Sequence, residues 1–409
     1  MYNTHTLNNG LRLIHLPTDS EVVYCGYAVN AGARHEQKGE EGLAHFCEHM
    51  TFKGTENLTP MKIINTLELV GGDLNAFTTK EDTFYYAGVL RQHFNRAVDL
   101  LTEIVFHSTY PQQEIDREME VVCDEIESYR DSPAELIYDE FENEIFAGYP
   151  LGHNVLGEKE TVRNFKTEDC RRFTSRLYRP DNAVFYVVGN IDFSRLVRRM
   201  EAYGLVYAGR DMLDVTPSQP LPLAVGGKRK DTDDMQTHQS HVMLGTAITS
   251  DIEKWRIPMF ITNNILGGPC MNSRLNISLR EKRGLVYTVE SIMTGYTDAL
   301  LWSVYFGCDS SDVSRCLRLV HNQLQKLQKA PMTASALNAA KRQLKGQIAL
   351  ASENRENYGL DMAKLYLHKG TLKSNERLFA AIDKIVPQDI FALCNTHLSD
   401  DNVFTLTFS

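Results

Sequence analysis

Residues 45–50 read HFCEHM. On a helix, positions four apart share a face, so His45 and His49 can address one metal ion. Imidazole is a good zinc ligand, at about 2.0–2.1 Å. Glu48 comes one turn after His45 and directly before His49, at the edge of the same face. From there it can reach a water on the metal without being a ligand itself. Zinc lowers the pKa of such a water to about 7, and a carboxylate can accept its proton during attack on a carbonyl. Cys47 lies two residues from each histidine and projects away from their face, as a packing residue does. Two unrelated histidines on one helix give the same short pattern, so the reading needs further ligands.

The order inverts the His-Glu-x-x-His arrangement of zinc peptidases. A catalytic zinc site takes a third protein ligand and keeps one position open. The stretch QQEIDREMEVVCDEIESY supplies candidates. Its apolar face is Ile115, Met119, Val122, Ile126 and Tyr129, at helical spacing. Asp124 points opposite that face, and Glu120 and Glu127 point outward. Glu118 and Glu125 flank the stripe two turns apart, as carboxylates able to face the interior. Both equally suit the solvated rim of a buried face.

The elements that must position these groups recur in the two halves of the chain. In the first half, strand-like runs cover 11–16 and 22–30, with helical stretches over 41–53 and 59–70. Alternating strands over 74–90 follow, then amphipathic helices over 94–106 and 113–129. A β-branched run spans 182–188, and a helical pattern resumes after Asp192. The second half repeats the order, with strands at 241–248, 284–296, 299–307 and 403–408 and helices at 255–266, 313–328 and 333–354. TFYYAGVLRQHFNRAVDLLTEIV and LLWSVYFGCDSSDVSRCLRLVHNQL are each a strand, a polar turn and an amphipathic helix. Between the halves, residues 213–235 are rich in Pro, Gly and charge and read as a linker. The expectation is an α+β fold, an α/β sandwich of two homologous domains. Each is a mainly antiparallel sheet with helices packed on one face. Residues 1–212 carry the metal motif and 236–409 the homologous domain, which has no counterpart of HFCEH.

HFCEH, with Glu125 and Glu118 downstream, resembles the metal signature of the pitrilysin superfamily of zinc peptidases, which includes insulin-degrading enzyme and the mitochondrial processing peptidases. The resemblance implies one Zn²⁺ per chain held by His45, His49 and Glu125, with Glu48 as general base and Glu118 supporting the site. GGDLNAFTTKEDTFYY (71–86) resembles the family's substrate-binding edge strand, which implies that Asn75, Ala76 and Phe77 line an extended peptide through β-augmentation. An ordinary amphipathic strand would read the same way. LREKRGLVY (279–287) is similar to the family's arginine–tyrosine element, matching Arg280 and Tyr287, with Arg283 as the rival assignment. The implied roles are substrate anchoring and donation toward a developing oxyanion. Outside the resemblance these are solvent-facing side chains.

The resemblance further implies a peptidase acting on short unfolded peptides in a closed chamber. Some relatives carry four such domains in one chain and this one has two, so a complete chamber needs two chains. That calls for a homodimer with composite sites or a heterodimer with an inactive paralogue. The alternatives are a presequence-processing peptidase and a non-catalytic scaffold or partner subunit of the same fold; the scaffold relatives usually lose the zinc signature kept here.

The 409 residues include 53 acidic and 43 basic, a net charge of −10. That balance disfavours nucleic acid as a partner. No apolar run approaches the roughly 18 residues of a membrane helix. The opening MYNTHTLNNGLRLIHL has no signal-peptide or presequence character. Eight scattered cysteines without CxxC spacing fit reduced thiols, so the expected location is cytoplasmic.

Overall fold

Runs of β-branched and aromatic residues pack best on a pleated surface, and such runs make the two sheets of the chain. The computed structural model describes residues 2–205 and 239–409, with the backbone alone of Arg229–Asp231. The linker read over 213–235 therefore lies outside the described residues, apart from that short strand.

The first strands are β1 (Asn3–Thr6), β2 (Arg12–Pro17), β3 (Val22–Val29), β4 (Asp73–Thr78), β5 (Thr83–Leu90) and β6 (Ala183–Gly189). Their helices are α1 (Leu43–Thr51), α2 (Pro60–Glu68), α3 (Phe94–Phe106), α4 (Gln112–Arg130), α5 (Pro133–Ile145), α6 (Lys159–Val162), α7 (Thr167–Leu177) and α8 (Phe193–Ala202). Then come β7 (Arg229–Asp231), β8 (Ser240–Ile248), β9 (Val286–Gly295), β10 (Leu300–Cys308) and β11 (Phe404–Phe408). The later helices are α9 (Ile252–Gly267), α10 (Val313–Lys329), α11 (Ala334–Ala351), α12 (Arg355–Lys369), α13 (Asn375–Lys384) and α14 (Pro387–His397).

Two compact units result. The first is formed by Met1–Ser128, His153–Ser218 and Ala351–Lys373, the second by Tyr129–Gly152, Gln219–Leu350 and Ser374–Ser409. The first sheet runs β1-β2-β6-β3-β5-β4 and the second β7-β11-β8-β10-β9. Each is antiparallel except for one pair, β2 with β6 and β7 with β11. Omitting β1, the two orders correspond strand for strand, as duplication of one unit requires.

In the first unit the strand period of two sorts side chains between two cores. Leu13, Tyr27, Tyr85 and Phe185 face α1, α3 and α7, where Phe46, Met50, Leu101 and Phe173 meet them. Their neighbours Ile14, Ala28, Phe84 and Tyr186 face the other way, onto Met362, Ala363 and Leu367 of α12. The second unit repeats this arrangement: Leu244, Trp302 and Val304 face one core, while Met243, Leu301 and Tyr305 face Ile137, Phe141 and Ile145 of α5. The two-domain α+β architecture holds. In each unit a helix from the other half of the sequence also covers the sheet face opposite the main core.

Polar anchors hold α12 in the first unit. Arg12 donates to the carbonyls of Tyr366 and Leu367 in its last turn, at 3.1 and 3.0 Å, and Gly370 ends it in the left-handed conformation. Fully buried Asp82 pairs with His368 Nε2 at 2.5 Å and faces Lys364 Nζ at 3.5 Å. Among the described residues no helix is long and apolar enough to cross a membrane. His368→Ala removes the close partner of a buried carboxylate and should destabilise the first unit by about 3–5 kcal/mol. Denaturant unfolding measures this, and a loss below about 1 kcal/mol would mean that Asp82 does not depend on α12.

Candidate metal centre

Helix α1 begins after Gly42, whose φ of 94° and close approach to the Leu156 carbonyl leave no room for a side chain. Leu43, Ala44, Phe46, Cys47 and Met50 join the core, which turns His45, Glu48 and His49 to the opposite side. The first N–H groups of a helix have no intrahelical acceptor, and buried Glu36 supplies one. Its carboxylate accepts from the amides of Gly42 and Ala44 at 3.0 and 2.7 Å and lies 2.9 Å from His153 Nε2. Burial raises the Glu36 pKa, against the lowering effect of these hydrogen bonds. The His153 carbonyl accepts in turn from Lys80, in the turn between β4 and β5.

The histidine rings lie 4.5 Å apart at 66°. Glu125 of α4 reaches toward both, with its oxygens 3.9 Å from His45 Nε2 and 3.6 Å from His49 Nε2. One donor atom from each of the three residues falls within 4.8 Å of the others. These separations are too long for hydrogen bonds. Two ligands at about 2.1 Å from a tetrahedral zinc ion stand about 3.4 Å apart, so a shared ion fits with a small contraction. The Glu125 side chain is 43% exposed, so the donors are open to solvent on that side.

Each imidazole is in a different electrostatic state. Burial, aided by the nearby charge of His49, pushes the His45 pKa down to about 3. The ring is therefore neutral, the form that ligates, and its buried Nδ1 has no hydrogen-bond partner. Burial also disfavours charge on His49, but the hydrogen bond to Glu118 and the charges of Glu125 and Glu48 outweigh it and raise its pKa. Its Nδ1 lies 3.0 Å from Glu118 Oε1. With the proton on Nδ1, Nε2 is left facing the donor cluster. Lys53 Nζ holds the other Glu118 oxygen at 2.6 Å. Burial alone would raise the Glu118 pKa, yet the bonds from His49 and Lys53 bring it below the usual carboxylate range.

Glu48 stands apart from the three donors. It is buried, and its Oε2 accepts from Thr78 Oγ1 at 2.6 Å. Burial pushes its pKa up to about 7, against the opposing effects of the Thr78 bond and His49. Thr78 is the last residue of β4, the edge strand. On β4, Asn75, Ala76 and Phe77 pair with Tyr86, Tyr85 and Phe84 of β5, and the opposite edge carries no strand among the described residues. Asn75 is exposed and its amide donates to Asp73 at 3.1 Å; the Phe77 ring stacks on Phe84 at 4.9 Å.

Arg280 and Tyr287 belong to the second unit. Arg280 lies in a π-helical turn, Asn276–Glu281, and Tyr287 on β9, where it is 82% exposed. The rival Arg283 donates to the Ser278 carbonyl at 2.7 Å. Glu36, Thr78, Lys80 and His153 were not picked out from the sequence. The contacts of Glu36 and Lys80 with His153 and of Thr78 with Glu48 join residues distant in the chain, and no fixed spacing marks them.

Two family models match the chain: the insulinase peptidase family M16 over residues 13–159 and the M16 peptidase inactive domain over residues 164–344. The second description agrees with the missing donor motif in that half. An uncharacterised zinc protease of Bacillus subtilis is 30% identical, with 99% of this chain and 98% of the relative aligned. Another from Streptomyces coelicolor is 31% identical over 95% of this chain and 85% of the relative. The crystal structure of a protease from Helicobacter pylori shares the fold, with a TM-score of 0.92 at 22% identity over 100% of this chain and 99% of that one.

Glu125→Gln should lose most of the zinc bound by the wild-type chain. Glu118→Gln should keep one ion but bind it about 10–100-fold more weakly, as loss of a ligand's hydrogen-bond partner does. Competition with a chromophoric chelator measures both, and full occupancy in Glu125→Gln would place the third ligand elsewhere.

Proposed function

The chain belongs to the insulinase family of peptidases, M16, and on that premise we propose that it is a zinc metalloendopeptidase acting on short unfolded peptides. The observation that carries this reading is the gathering of His45, His49 and Glu125 beside a buried carboxylate, Glu48, which the end of an open edge strand holds in place. His45 and His49 would hold the ion through Nε2 and Glu125 through its carboxylate. When bound, zinc would supply Lewis-acid polarisation and a water of lowered pKa.

The remaining work falls to the chain's own groups. Glu48 takes a proton from the nucleophilic water and returns it to the leaving amine. A pKa near 7 suits both directions of transfer. Thr78 fixes Oε2 and leaves Oε1 for the water. A peptide laid along β4 makes main-chain hydrogen bonds to the free edge, with Asn75, Ala76 and Phe77 beside it, and so arrives at Thr78 and Glu48. Arg280 and Tyr287 anchor the substrate and donate to the developing oxyanion.

The closed chamber is built by two chains of two domains each, as a homodimer in which the donors of one chain work with Arg280 and Tyr287 of the other. An inactive paralogue as second chain is the alternative assembly. The described cysteines are all free thiols, in keeping with a reducing, cytoplasmic setting. A scaffold would have no use for three donors and a tuned base.

Hydrolysis of a quenched, unstructured peptide library tests the reading. The wild-type chain should cleave, and Glu48→Gln should retain zinc while losing at least about 10²–10⁴ in turnover. Loss of zinc in that variant would make Glu48 a ligand and not the base. Mixing inactive Glu48→Gln chains with inactive Tyr287→Phe chains should restore activity through one intact composite site. No gain over either parent would make each chain self-contained.

A further inference from the structure

The turn between β4 and β5 carries three consecutive charged residues, Lys80, Glu81 and Asp82, and they are only 4%, 2% and 0% exposed. Turns ordinarily lie at the surface, and such side chains are buried only when paired. Each of the three reaches a different part of the first unit. Lys80 donates to the carbonyl of His153, whose ring meets Glu36 at the start of α1. Glu81 pairs with Arg34, in the short helical turn Ala33–His35. Asp82 takes Nε2 of His368 on α12 at 2.5 Å. Thr79 closes the turn itself: its amide donates to the Asp82 carbonyl at 2.7 Å, and its hydroxyl accepts from the amides of Glu81 and Asp82 at 3.2 and 3.0 Å.

Pinning α12 is the plainer use of the Asp82–His368 contact. That helix is already held by Met362, Ala363 and Leu367 in the core and by Arg12 at its last turn. Apolar packing would serve as well, since a buried ion pair seldom gains stability over it. The residues on either side of the turn point to another use. Thr78 precedes it and donates to Glu48 at 2.6 Å. Thr83 follows Asp82, donates to the Ala31 carbonyl at 2.7 Å, and its hydroxyl lies 3.3 Å from that of Thr78. Without His368 the Asp82 carboxylate keeps no hydrogen bond among the described residues: its Oδ2 has none, and Lys364 Nζ stands 3.5 Å away. A buried carboxylate in that state must shift toward water, and its shift carries the turn and Thr83 with it.

We propose that His368 of α12 is a positioning residue for Glu48: through Asp82 it fixes the β4–β5 turn, and the turn holds the Thr78 hydroxyl against the Glu48 carboxylate. Its effect on turnover rests on the peptidase reading; the tie itself lies wholly within the first unit.

Turnover of a quenched peptide and backbone hydrogen exchange, measured together on zinc-loaded full-length chains, test it. His368→Leu should lower kcat about tenfold or more and change KM less than about twofold, because the β4–β5 ladder that aligns the edge strand stays in place. Exchange over residues 78–83 should quicken about tenfold. His368→Gln, whose side-chain amide can replace Nε2 as donor to Asp82, should restore both. The double variant Asp82→Asn with His368→Leu removes the unpaired buried charge and recovers part of the lost stability, yet it lacks the tie. Its kcat should stay low and its turn exchange fast, and it decides the matter if His368→Leu alone fails to fold. In a Thr78→Val background His368→Leu should lower kcat no further. Wild-type kcat in the double variant, unchanged exchange over 78–83, or additive losses with Thr78→Val would overturn the proposal. A wild-type chain that cleaves no peptide would count against the peptidase reading instead, and exchange over 78–83 would then decide the tie alone.

Discussion

Helix α1 buries Leu43, Ala44, Phe46, Cys47 and Met50, and that burial fixes its rotation about its own axis. Successive residues turn by about 100°, so a one-residue slip would carry the histidines into the core and Cys47 or Met50 out of it. The rest of the site assumes this rotation. Glu36 accepts from the first amides of α1, Glu118 and Lys53 fix the ring of His49, and Thr78 fixes Glu48. The donors converge because α1, α4 and the end of β4 are each tied down by contacts that are not part of the chemistry.

The buried polar groups around α1 follow from the same arrangement. A carboxylate as buried as Glu36 survives only when its lone pairs are satisfied, and here two helix amides and His153 satisfy them. Burial makes Glu48 nearly as basic as neutral water chemistry requires, and its one hydroxyl donor on Oε2 and nearby His49 offset that only in part. Glu118, by contrast, is bonded on both oxygens and remains charged. These three carboxylates thus differ in basicity through the balance of burial, which prevails at Glu36 and Glu48, against hydrogen bonds and charge, which prevail at Glu118.

Much of this was legible in the sequence, within the reach of local pattern. Periodicity located the outer bounds of the strands flanking α1 to within a residue and helix α3 to the residue, because amphipathic segments record which face they bury. It also recovered the duplication. Helices α5 and α12 were not read from the sequence, although each covers a sheet face. Their partners lie far away in the chain, and α12 meets its sheet partly through Gly359, which approaches Tyr186 too closely for a Cβ, and Ala363. Small residues leave little trace in a hydrophobic pattern. Spacing singled out His45, Glu48 and His49, and left Glu118 and Glu125 as equal candidates. The resemblance assigned Glu125 to the metal and Glu118 to its support, and the folded chain has Glu118 behind His49 and Glu125 in front of both rings. Glu36, Lys80 and His153 form contacts that no spacing rule encodes.

The central claim is that His45, His49 and Glu125 form one metal site from which Glu48 is excluded. X-ray absorption at the zinc edge, with metal content determined in parallel, tests it most directly on wild-type and Glu48→Gln chains. The expected result is one zinc per chain, with a shell of nitrogen and oxygen at about 2.0–2.2 Å containing two imidazoles, and the same spectrum from both proteins. A sulfur neighbour at about 2.3 Å, or a changed shell in Glu48→Gln, would contradict it.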